Sequence, residues 1–337
     1  MTLVVRAIRR DDLDALCRMA ASTGGGFTNL PPDRDTLAAK IERACASFAR
    51  SGDEGADDVF AFALEDSETG AVRGTCQIFA RIGATWPFYS YRIGTMTQVS
   101  KQLGKTLRAE TLTLCTDLDG ATEIGGLFLD ADARSGGAGK LLARSRYLFI
   151  HRHRERFADR TLAELRGIVD EAGTSPFWDG LAGRFFEMPF READEFNAVH
   201  GNQFIADLMP KHPIYISMLP DAARAAIGKP HASGAAAMRM LKQEGFAYDC
   251  YVDIFDGGPT MIADTDGIAT LRDAVGATVT GIGGGQGKAG LIAAGQGADF
   301  RCCCAHVAHG GTGLRIDAAS AAALQVALGD AVVWVPA

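Results

Sequence analysis

The chain has 337 residues, of which 47% are hydrophobic and 22% are charged, a composition that supports a sizeable core and excludes a largely disordered protein. Its net charge of −7 argues against nucleic acid or an anionic membrane surface as a partner, and no apolar run is long enough to span a bilayer. The N-terminus places charges where a signal peptide needs its apolar segment, and eight cysteines stand at irregular spacings, so we expect a cytoplasmic protein with reduced thiols.

The N-terminal part of the sequence predicts a mixture of helices and strands. Its predicted elements are, in chain order, a strand at 3–8, helices at 13–20 and 35–50, and a hairpin of strands at 59–64 and 72–82. Between the two helices lies a glycine-rich segment, residues 22–30, with three consecutive glycines at 24–26. This segment is either a flexible loop on the substrate side or a simple connection.

A strand, a glycine-bearing turn and a long helix are predicted one after another in the middle of the chain. Residues 124–129 (IGGLFL) form a short buried strand, 130–138 form the turn, and 139–157 form an amphipathic helix. A further strand is predicted at 161–169. Such a unit is a βαβ crossover, for which a ligand is expected at the carboxyl end of the first strand.

The remainder of the chain predicts short helices, a helix at 233–245, a strand at 246–255, and then short β-type pieces between glycines. We therefore divide the chain into an N-terminal α/β unit (1–160), a second α/β unit (161–260) and a small β-rich C-terminal appendage (261–337). A short helix leading into an aromatic strand occurs in both 177–190 and 238–255. Two copies of one α/β unit would explain this, and a chance similarity explains it equally well.

The turn before the long helix has the composition of an anion-binding site. Its glycines let the backbone approach a ligand closely, and the free N–H groups and dipole at a helix start favour negative charge. The turn contains neither G-x-x-x-x-G-K-[ST] nor G-x-G-x-x-G. It does contain R-x-x-G-x-G at Arg134, Gly137 and Gly139. The alternative to a pyrophosphate site is a plain helix-entry turn.

This turn resembles the coenzyme A pyrophosphate loop of the GNAT acyltransferases, and the surrounding chain resembles the arginine N-succinyltransferase family. The resemblance runs from Val4 to about Thr260 and is much weaker beyond residue 265. The segments that carry it include GGGFTNLP, LFLDADARSGGAGKLLARSRYLF, RGIVDEAGTSPFWDGLAGRFFEMPF and EGFAYDCYVDIFDGGPT. It implies a GNAT-like acyl-CoA N-acyltransferase fold of the α/β (α+β) class.

The resemblance also implies the reaction: a succinyl group passes from succinyl-CoA to the α-amino group of L-arginine by direct attack on the thioester, with no permanently bound cofactor. Backbone N–H groups of the strand that contains Leu127 and Leu129 would hold the thioester and the pantetheine arm, and the family's succinyl-CoA contact falls on Leu127. The family's proton donor falls on the histidine of I-G-x-x-H, here His231, which is otherwise a surface-loop histidine.

Several other side chains have two interpretations each. Glu123 is a candidate base for the amine or a solvated carboxylate at a strand edge. Asp253 and Asp256 are candidates for the guanidinium of arginine, or they form the glycine turn that follows them. Arg92 and Arg166 both suit the succinyl carboxylate, and the sequence does not choose between them.

A cluster of cysteines and histidines near the C-terminus has the right chemistry for zinc but the wrong arrangement. Cys302, Cys303 and Cys304 are consecutive, and residues adjacent in a strand point to opposite faces. Their spacing to His306 and His309 matches no zinc pattern. The sequence therefore predicts buried thiols and no metal site.

The sequence departs from the family pattern at Ala131, where a proline usually follows the strand, and at Lys229-Pro230 before the histidine. A preference for ornithine or for another acyl-CoA stays open, as does a role as the CoA-binding subunit of a hetero-oligomer. The resemblance to the family makes a dimer reasonable, and both a homo- and a hetero-oligomer stay open. An oxidoreductase of the Rossmann type is disfavoured by the missing dinucleotide motif.

Overall fold

The computed structural model describes residues 2–22, 29–50, 52, 57–134, 136–201, 203–283, 287–310 and 313–337. Within those ranges, no helix is both long and apolar enough to cross a membrane. The strands are β1 Leu3–Ala7, β2 Val59–Asp66, β3 Val72–Phe79, β4 Ser90–Ser100, β5 Lys105–Cys115, β6 Thr122–Leu129, β7 Arg160–Glu164, β8 Ile214–Tyr215, β9 Ala247–Val252, β10 Pro259–Asp264, β11 Val275–Ile282, β12 Lys288–Ala294, β13 Arg301–Gly310, β14 Gly313–Ile316 and β15 Ala331–Pro336.

The helices lie in groups between runs of strands, with five strands in succession from β2 to β6. They are α1 Leu13–Ser22, α2 Arg34–Ala49, α3 Ala138–Arg152, α4 Pro176–Gly180, α5 Gly183–Phe186, α6 Phe190–His200, α7 Gln203–Leu208, α8 Asp221–Ala226, α9 Ala235–Gln243, α10 Ala269–Arg272 and α11 Ala318–Leu324. Short 3-10 turns occur at Arg10–Asp12, Ala131–Ala133, Arg154–Arg156, Ile216–Met218, Ala232–Gly234 and Gly297–Asp299.

The chain forms two compact units, and each is built from separated segments. Unit 1 contains Met1–Arg81, Thr122–Asp159 and Asp264–Ala337, and unit 2 contains Ile82–Ala121 and Arg160–Ala263. The C-terminal segment thus belongs to the same unit as the N-terminal segment. The division at 1–160, 161–260 and 261–337 stays a prediction from the sequence.

Unit 1 is built on a sheet in the order β12-β15-β11-β14-β13-β1-β2-β3-β6. Neighbouring strands are antiparallel except for the parallel pair β11–β14. The N-terminal strand β1 pairs with β13, with Val4 opposite Cys303, and on its other edge with β2. The predicted hairpin of β2 and β3 is confirmed.

Aromatic rings from the N-terminal, central and C-terminal segments share one core in unit 1. The ring of Phe149 in α3 lies 5.6 Å from that of Phe48 in α2 and 5.1 Å from that of Phe62 in β2. Phe300 is fully buried, and its ring lies 5.1 Å from Phe149 and 5.7 Å from Phe62. These contacts tie the C-terminal segment to the core of unit 1.

The C-terminal strands close on themselves. Besides its pairing with β15, β12 pairs antiparallel with β13 from Lys288 opposite Val307 to Ala294 opposite Arg301. The strands β12, β15, β11, β14 and β13 therefore form a closed five-stranded ring. Its core contains Ile292, Trp334 and, from α11, Leu324. The predicted β-rich character of this segment is confirmed.

Unit 2 has a sheet in the order β7-β10-β9-β4-β5-β8. Its centre is the hairpin of β4 and β5, which stays in register from Ser90 opposite Cys115 to Ser100 opposite Lys105. Short helices bury Phe177 and Trp178 in its core together with Tyr91 and Val252.

Candidate functional site

The strand predicted to hold the acyl donor, β6, contains a bulge. Gln77 of β3 stands opposite Gly125 and Thr75 stands opposite Phe128, so Gly126 and Leu127 together face the single residue Cys76. The extra residue of a bulge is left out of the ladder, and its backbone groups are available to a ligand. Leu127 therefore lies at a break in the pairing of β6.

Glycine at position 126 makes this bulge possible. Its φ of +57° lies in the left-handed region that L side chains rarely adopt, and a Cβ at this position would come within 3.1 Å of Gln77 Cγ. The sequence predicts a regular strand over 124–129, and the consecutive glycines were the only signal of the bulge.

A polar cluster lies beside the bulge in unit 1. Lys40 Nζ donates to the backbone oxygen of Asn29 at 3.1 Å, and Gln77 Nε2 donates to the same oxygen at 3.3 Å. Burial, with a smaller contribution from Arg43, lowers the pKa of Lys40 to about 8, and Glu123 opposes this shift. Asn29, Lys40 and Gln77 were not identified from the sequence, because their contact with β6 is purely tertiary.

The glycine turn is built as the start of α3. Gly136 and Gly137 have φ values of +65° and +83°, and Gly137 is the N-cap residue of the helix. Gly139 lies inside the first helical turn with nothing within 4 Å of a Cβ built on it. Arg134 Nε donates to the backbone oxygen of Leu129 at 3.2 Å, which fixes the turn against the end of β6. The free N–H groups at the start of this 15-residue helix suit an anion.

His231 lies in unit 2, in the connection between α8 and α9. Its backbone N–H donates to the backbone oxygen of Arg166 at 2.7 Å, and its own backbone oxygen accepts from Gly234 at 2.9 Å. Gly228, three residues before it, has a φ of +68° and lies against the hydroxyl of Tyr248. The loop is therefore held in place on both sides of the imidazole.

Asp253 and Asp256 form the glycine turn, the second of their two interpretations. Asp256 accepts from the backbone N–H groups of Gly167 at 2.7 Å and Gly258 at 2.8 Å. Asp253 accepts from the N–H groups of Phe255 and Asp256. Burial raises the pKa of both carboxyl groups. This turn also ends the predicted strand 161–169 early, because Gly167 lies directly against the backbone of Asp256.

Asp194 in α6 is a further titratable group in unit 2 that sequence reasoning missed. Burial first, and then the neighbouring Asp253, raise its pKa to about 6, while Arg166 opposes the shift. Arg92 is engaged elsewhere, since it pairs with Asp117 at 3.4 Å. Of the two arginines considered for the succinyl carboxylate, Arg166 alone is beside the His231 loop, through its backbone oxygen.

The sequence-predicted residues fall into both units. Leu127, Leu129, Arg134, Gly137 and Gly139 belong to unit 1, and His231 belongs to unit 2. The glycines at 24–26 lie outside the described residues.

The cysteine run lies in β13 of unit 1. Cys302 and Cys303 are buried, as predicted for thiols in a β segment, whereas Cys304 is exposed. Among the residues described, no group of three or more His, Cys, Asp or Glu side chains is arranged to hold a metal ion.

Comparison with known proteins matches the chain over nearly its full length. Residues 3–270 match the family model described as arginine N-succinyltransferase beta subunit, and residues 275–336 match the model for the C-terminal domain of that subunit. Arginine N-succinyltransferases of Citrobacter koseri and Shigella dysenteriae are each 44% identical over 270 residues, which are 80% of this chain and 78% of theirs.

A solved structure extends the similarity to the whole fold. Subunit AI of the arginine/ornithine succinyltransferase from Pseudomonas aeruginosa superimposes with a TM-score of 0.91 at 34% identity, over 99% of this chain and 98% of that one. These similarities make the chain an acyltransferase, and its mixed strands and helices confirm the predicted α/β fold class. The chain belongs to the arginine N-succinyltransferase family.

Proposed function

We propose that the protein transfers the succinyl group of succinyl-CoA to the α-amino group of L-arginine, giving N2-succinyl-L-arginine and free coenzyme A. The observation that carries this proposal is the 44% identity, over 80% of the chain, with proteins named arginine N-succinyltransferase. Succinyl-CoA acts as a co-substrate, with no permanently bound cofactor, and the enzyme works in the cytoplasm on small molecules.

The donor is held by the elements on either side of Leu129. The thioester carbonyl accepts from backbone N–H groups at the Leu127 bulge, which stabilise the oxyanion that forms there. The pyrophosphate lies at the turn of Arg134, Gly137 and Gly139, where the start of α3 supplies N–H groups and about half a positive charge.

The reaction needs positioning and proton transfer rather than a nucleophile from the protein. The neutral α-amine attacks the thioester carbon, the nitrogen loses a proton, and the C–S bond breaks with its electron pair on sulfur. His231 then donates a proton to the departing thiolate. The proton from the amine nitrogen passes to solvent water.

The experiment is coenzyme A thiol release by the purified chain with succinyl-CoA and L-arginine, crossed with acetyl-CoA and L-ornithine. We expect release with succinyl-CoA and arginine to exceed that with acetyl-CoA. Faster release with acetyl-CoA than with succinyl-CoA would contradict the proposed donor.

Replacing the proposed proton donor tests its role. We expect His231→Gln to lower kcat by about 100-fold or more, the contribution of a positioned general acid, with KM values for both substrates little changed. His212→Gln, a histidine of unit 2 in the loop before β8, is the matched control. Equal loss in both variants would argue against a specific role for His231.

Ornithine is the second candidate acceptor, because the matching Pseudomonas structure is named an arginine/ornithine succinyltransferase. Release with ornithine preferred over arginine would keep the mechanism and change the substrate.

The names of the matching family and structure both refer to subunits, which favours function within an oligomer. We propose a homo- or hetero-oligomer, and activity of the chain alone distinguishes the two. Activity that appears only when a related chain is added would establish the hetero-oligomer.

A further inference from the structure

The imidazole of His231 is held through one of its two nitrogens. Its Nδ1 lies 2.7 Å from Ser233 Oγ, and the backbone N–H of Ser233 donates to the same Nδ1 at 3.3 Å. Both contacts come from one residue, two positions further along the chain. They are made within a 3-10 turn, Ala232–Gly234, for which His231 is the N-cap.

The chemistry of these groups determines what the ring can do. A backbone N–H is always a donor, so in the neutral ring Nδ1 accepts it and the ring proton is on Nε2. When the ring carries protons on both nitrogens, Nδ1–H needs an acceptor, and the Ser233 hydroxyl oxygen lies at hydrogen-bonding distance. A serine hydroxyl serves as donor or acceptor, so it can partner Nδ1 in either protonation state.

The backbone keeps this pair together. His231 N–H is bound to the backbone oxygen of Arg166 at 2.7 Å, and Gly234 N–H is bound to the backbone oxygen of His231 at 2.9 Å. These bonds fix the backbone of the loop but leave the imidazole free to turn about its own side-chain bonds. The hydrogen bonds from Ser233 are what orient the ring.

We infer that Ser233 is a positioning residue that holds His231 by Nδ1 and leaves Nε2 as the nitrogen that delivers the proton. This inference rests on the proposed role of His231. The transfer step starts from the ring with protons on both nitrogens: the Nε2–H bond breaks, its electron pair stays on Nε2, and an S–H bond forms on the departing thiolate. The ring left behind is neutral with its proton on Nδ1, which donates to Ser233 Oγ. Exchange with water then restores the resting tautomer, in which Nε2 carries the proton and Nδ1 accepts from the Ser233 backbone N–H.

The test uses Ser233→Ala, which keeps the backbone N–H and removes the hydroxyl. We expect kcat to fall by about tenfold, a part of the 100- to 10,000-fold that general acid catalysis contributes, while KM for both substrates changes by less than about twofold. Ser233→Thr keeps an Oγ and should recover most of the rate. Ser217→Ala, an exposed serine of the same unit, is the control and should behave as the wild type.

A spectroscopic measurement separates positioning from a structural effect. The ¹⁵N resonances of the His231 ring are assigned by their loss in His231→Gln and are followed with rising pH until they no longer change, which defines the spectrum of the neutral ring. We expect the wild type and Ser233→Thr to show a single tautomer with the proton on Nε2, because the hydroxyl and the backbone N–H both donate to Nδ1 of the neutral ring. Ser233→Ala keeps only the longer backbone contact at 3.3 Å and should show a larger Nδ1–H population. Wild-type kcat and unchanged ring resonances in Ser233→Ala would overturn the inference.

The ring measurement also separates this inference from the proposed function. If His231→Gln keeps full activity, the assignment of His231 as proton donor fails, and with it the inference that Ser233 positions a catalytic group. If the purified chain is inactive with every substrate pair, the tautomer populations still decide whether Ser233 sets the state of the ring. Identical tautomer populations in the wild type and Ser233→Ala would then refute the inference that Ser233 positions the ring.

Discussion

At the scale of single residues, Lys40 gives the clearest prediction of how the free energy of unfolding depends on pH. Its ammonium group is buried in unit 1 and its pKa is lowered to about 8. In the unfolded chain the group titrates near pH 10.4, so between the two values the unfolded state binds more protons. The stability contribution of Lys40 therefore improves as the pH rises through this window, and at pH 7 the full cost of burying the charge is present.

We expect Lys40→Met to be more stable relative to the wild type at pH 7 than at pH 9.5. The free energy of unfolding in urea, measured at both pH values, gives the difference. Lys242 is an exposed lysine in α9, and Lys242→Met is the control. Its free energy of unfolding should differ from that of the wild type by the same amount at pH 7 and at pH 9.5. If the change in the free energy of unfolding caused by Lys40→Met did not depend on pH, Lys40 would not have the lowered pKa described above.

The thiols differ in reactivity for the same physical reason. Burial raises the pKa of Cys76 to about 12 and that of Cys303 to about 12, so almost no thiolate exists at pH 8. Cys250, by contrast, is exposed. We expect iodoacetamide at pH 8 to label Cys250 at least about tenfold faster than the two buried thiols in the folded protein, as followed by peptide mass spectrometry. Rapid labelling of Cys303 would show that the C-terminal ring opens.

At the scale of secondary structure, the sequence predicted elements best where local signals are strong. Periodic apolar residues located α2, and the turn between β2 and β3 predicted their hairpin. The hairpin of β4 and β5 was missed because it is rich in polar threonines and has little apolar alternation over much of its length. The early end of β7 was missed because it depends on Asp256, a residue distant in sequence.

The same reasoning explains what was predicted of the site. The glycine turn and His231 lie in motifs of a few consecutive residues, which the sequence displays directly. The bulge at Gly126 depends on the register between β3 and β6, and the polar cluster around Lys40 depends on how α2 packs. A motif of a few consecutive residues predicts neither the register between two strands nor the packing of a helix.

The bulge gives a prediction of its own. Gly126→Ala places a methyl group in a left-handed conformation and within 3.1 Å of Gln77. We expect a loss of about 1–2 kcal/mol in the free energy of unfolding, together with a rise in KM for succinyl-CoA. Gly276→Ala in β11 has nothing within 4 Å of the added atom and should change stability by less than about 0.5 kcal/mol. Equal effects would mean that the bulge needs no glycine.

At the scale of the whole molecule, the sequence suggested a C-terminal appendage, and the structure places that segment within unit 1. The sequence does show that residues 261–337 are rich in short β-type pieces. It does not show that β13 pairs with β1, because strand partners so far apart leave no local signal.

Phe300 tests how strongly the C-terminal segment contributes to unit 1. We expect Phe300→Ala to cost about 3–5 kcal/mol in the free energy of unfolding, because the ring is fully buried against Phe62 and Phe149. Leu328→Ala removes a side chain that is 64% exposed in the same segment and should cost less than about 0.5 kcal/mol. A cost below about 1 kcal/mol for Phe300→Ala would indicate a segment that folds independently of the aromatic core.

The pairing of β1 with β13 also sets the order of events during synthesis. Val4 and Cys303 are roughly 300 residues apart, so at about 5–20 residues per second the ribosome releases β13 on the order of 15–60 s after β1. Unit 2 ends at Ala263 and can complete its sheet first. Until β13 arrives, one edge of β1 offers unpaired backbone groups to any other nascent chain. Slow translation therefore prolongs the time in which this protein can aggregate.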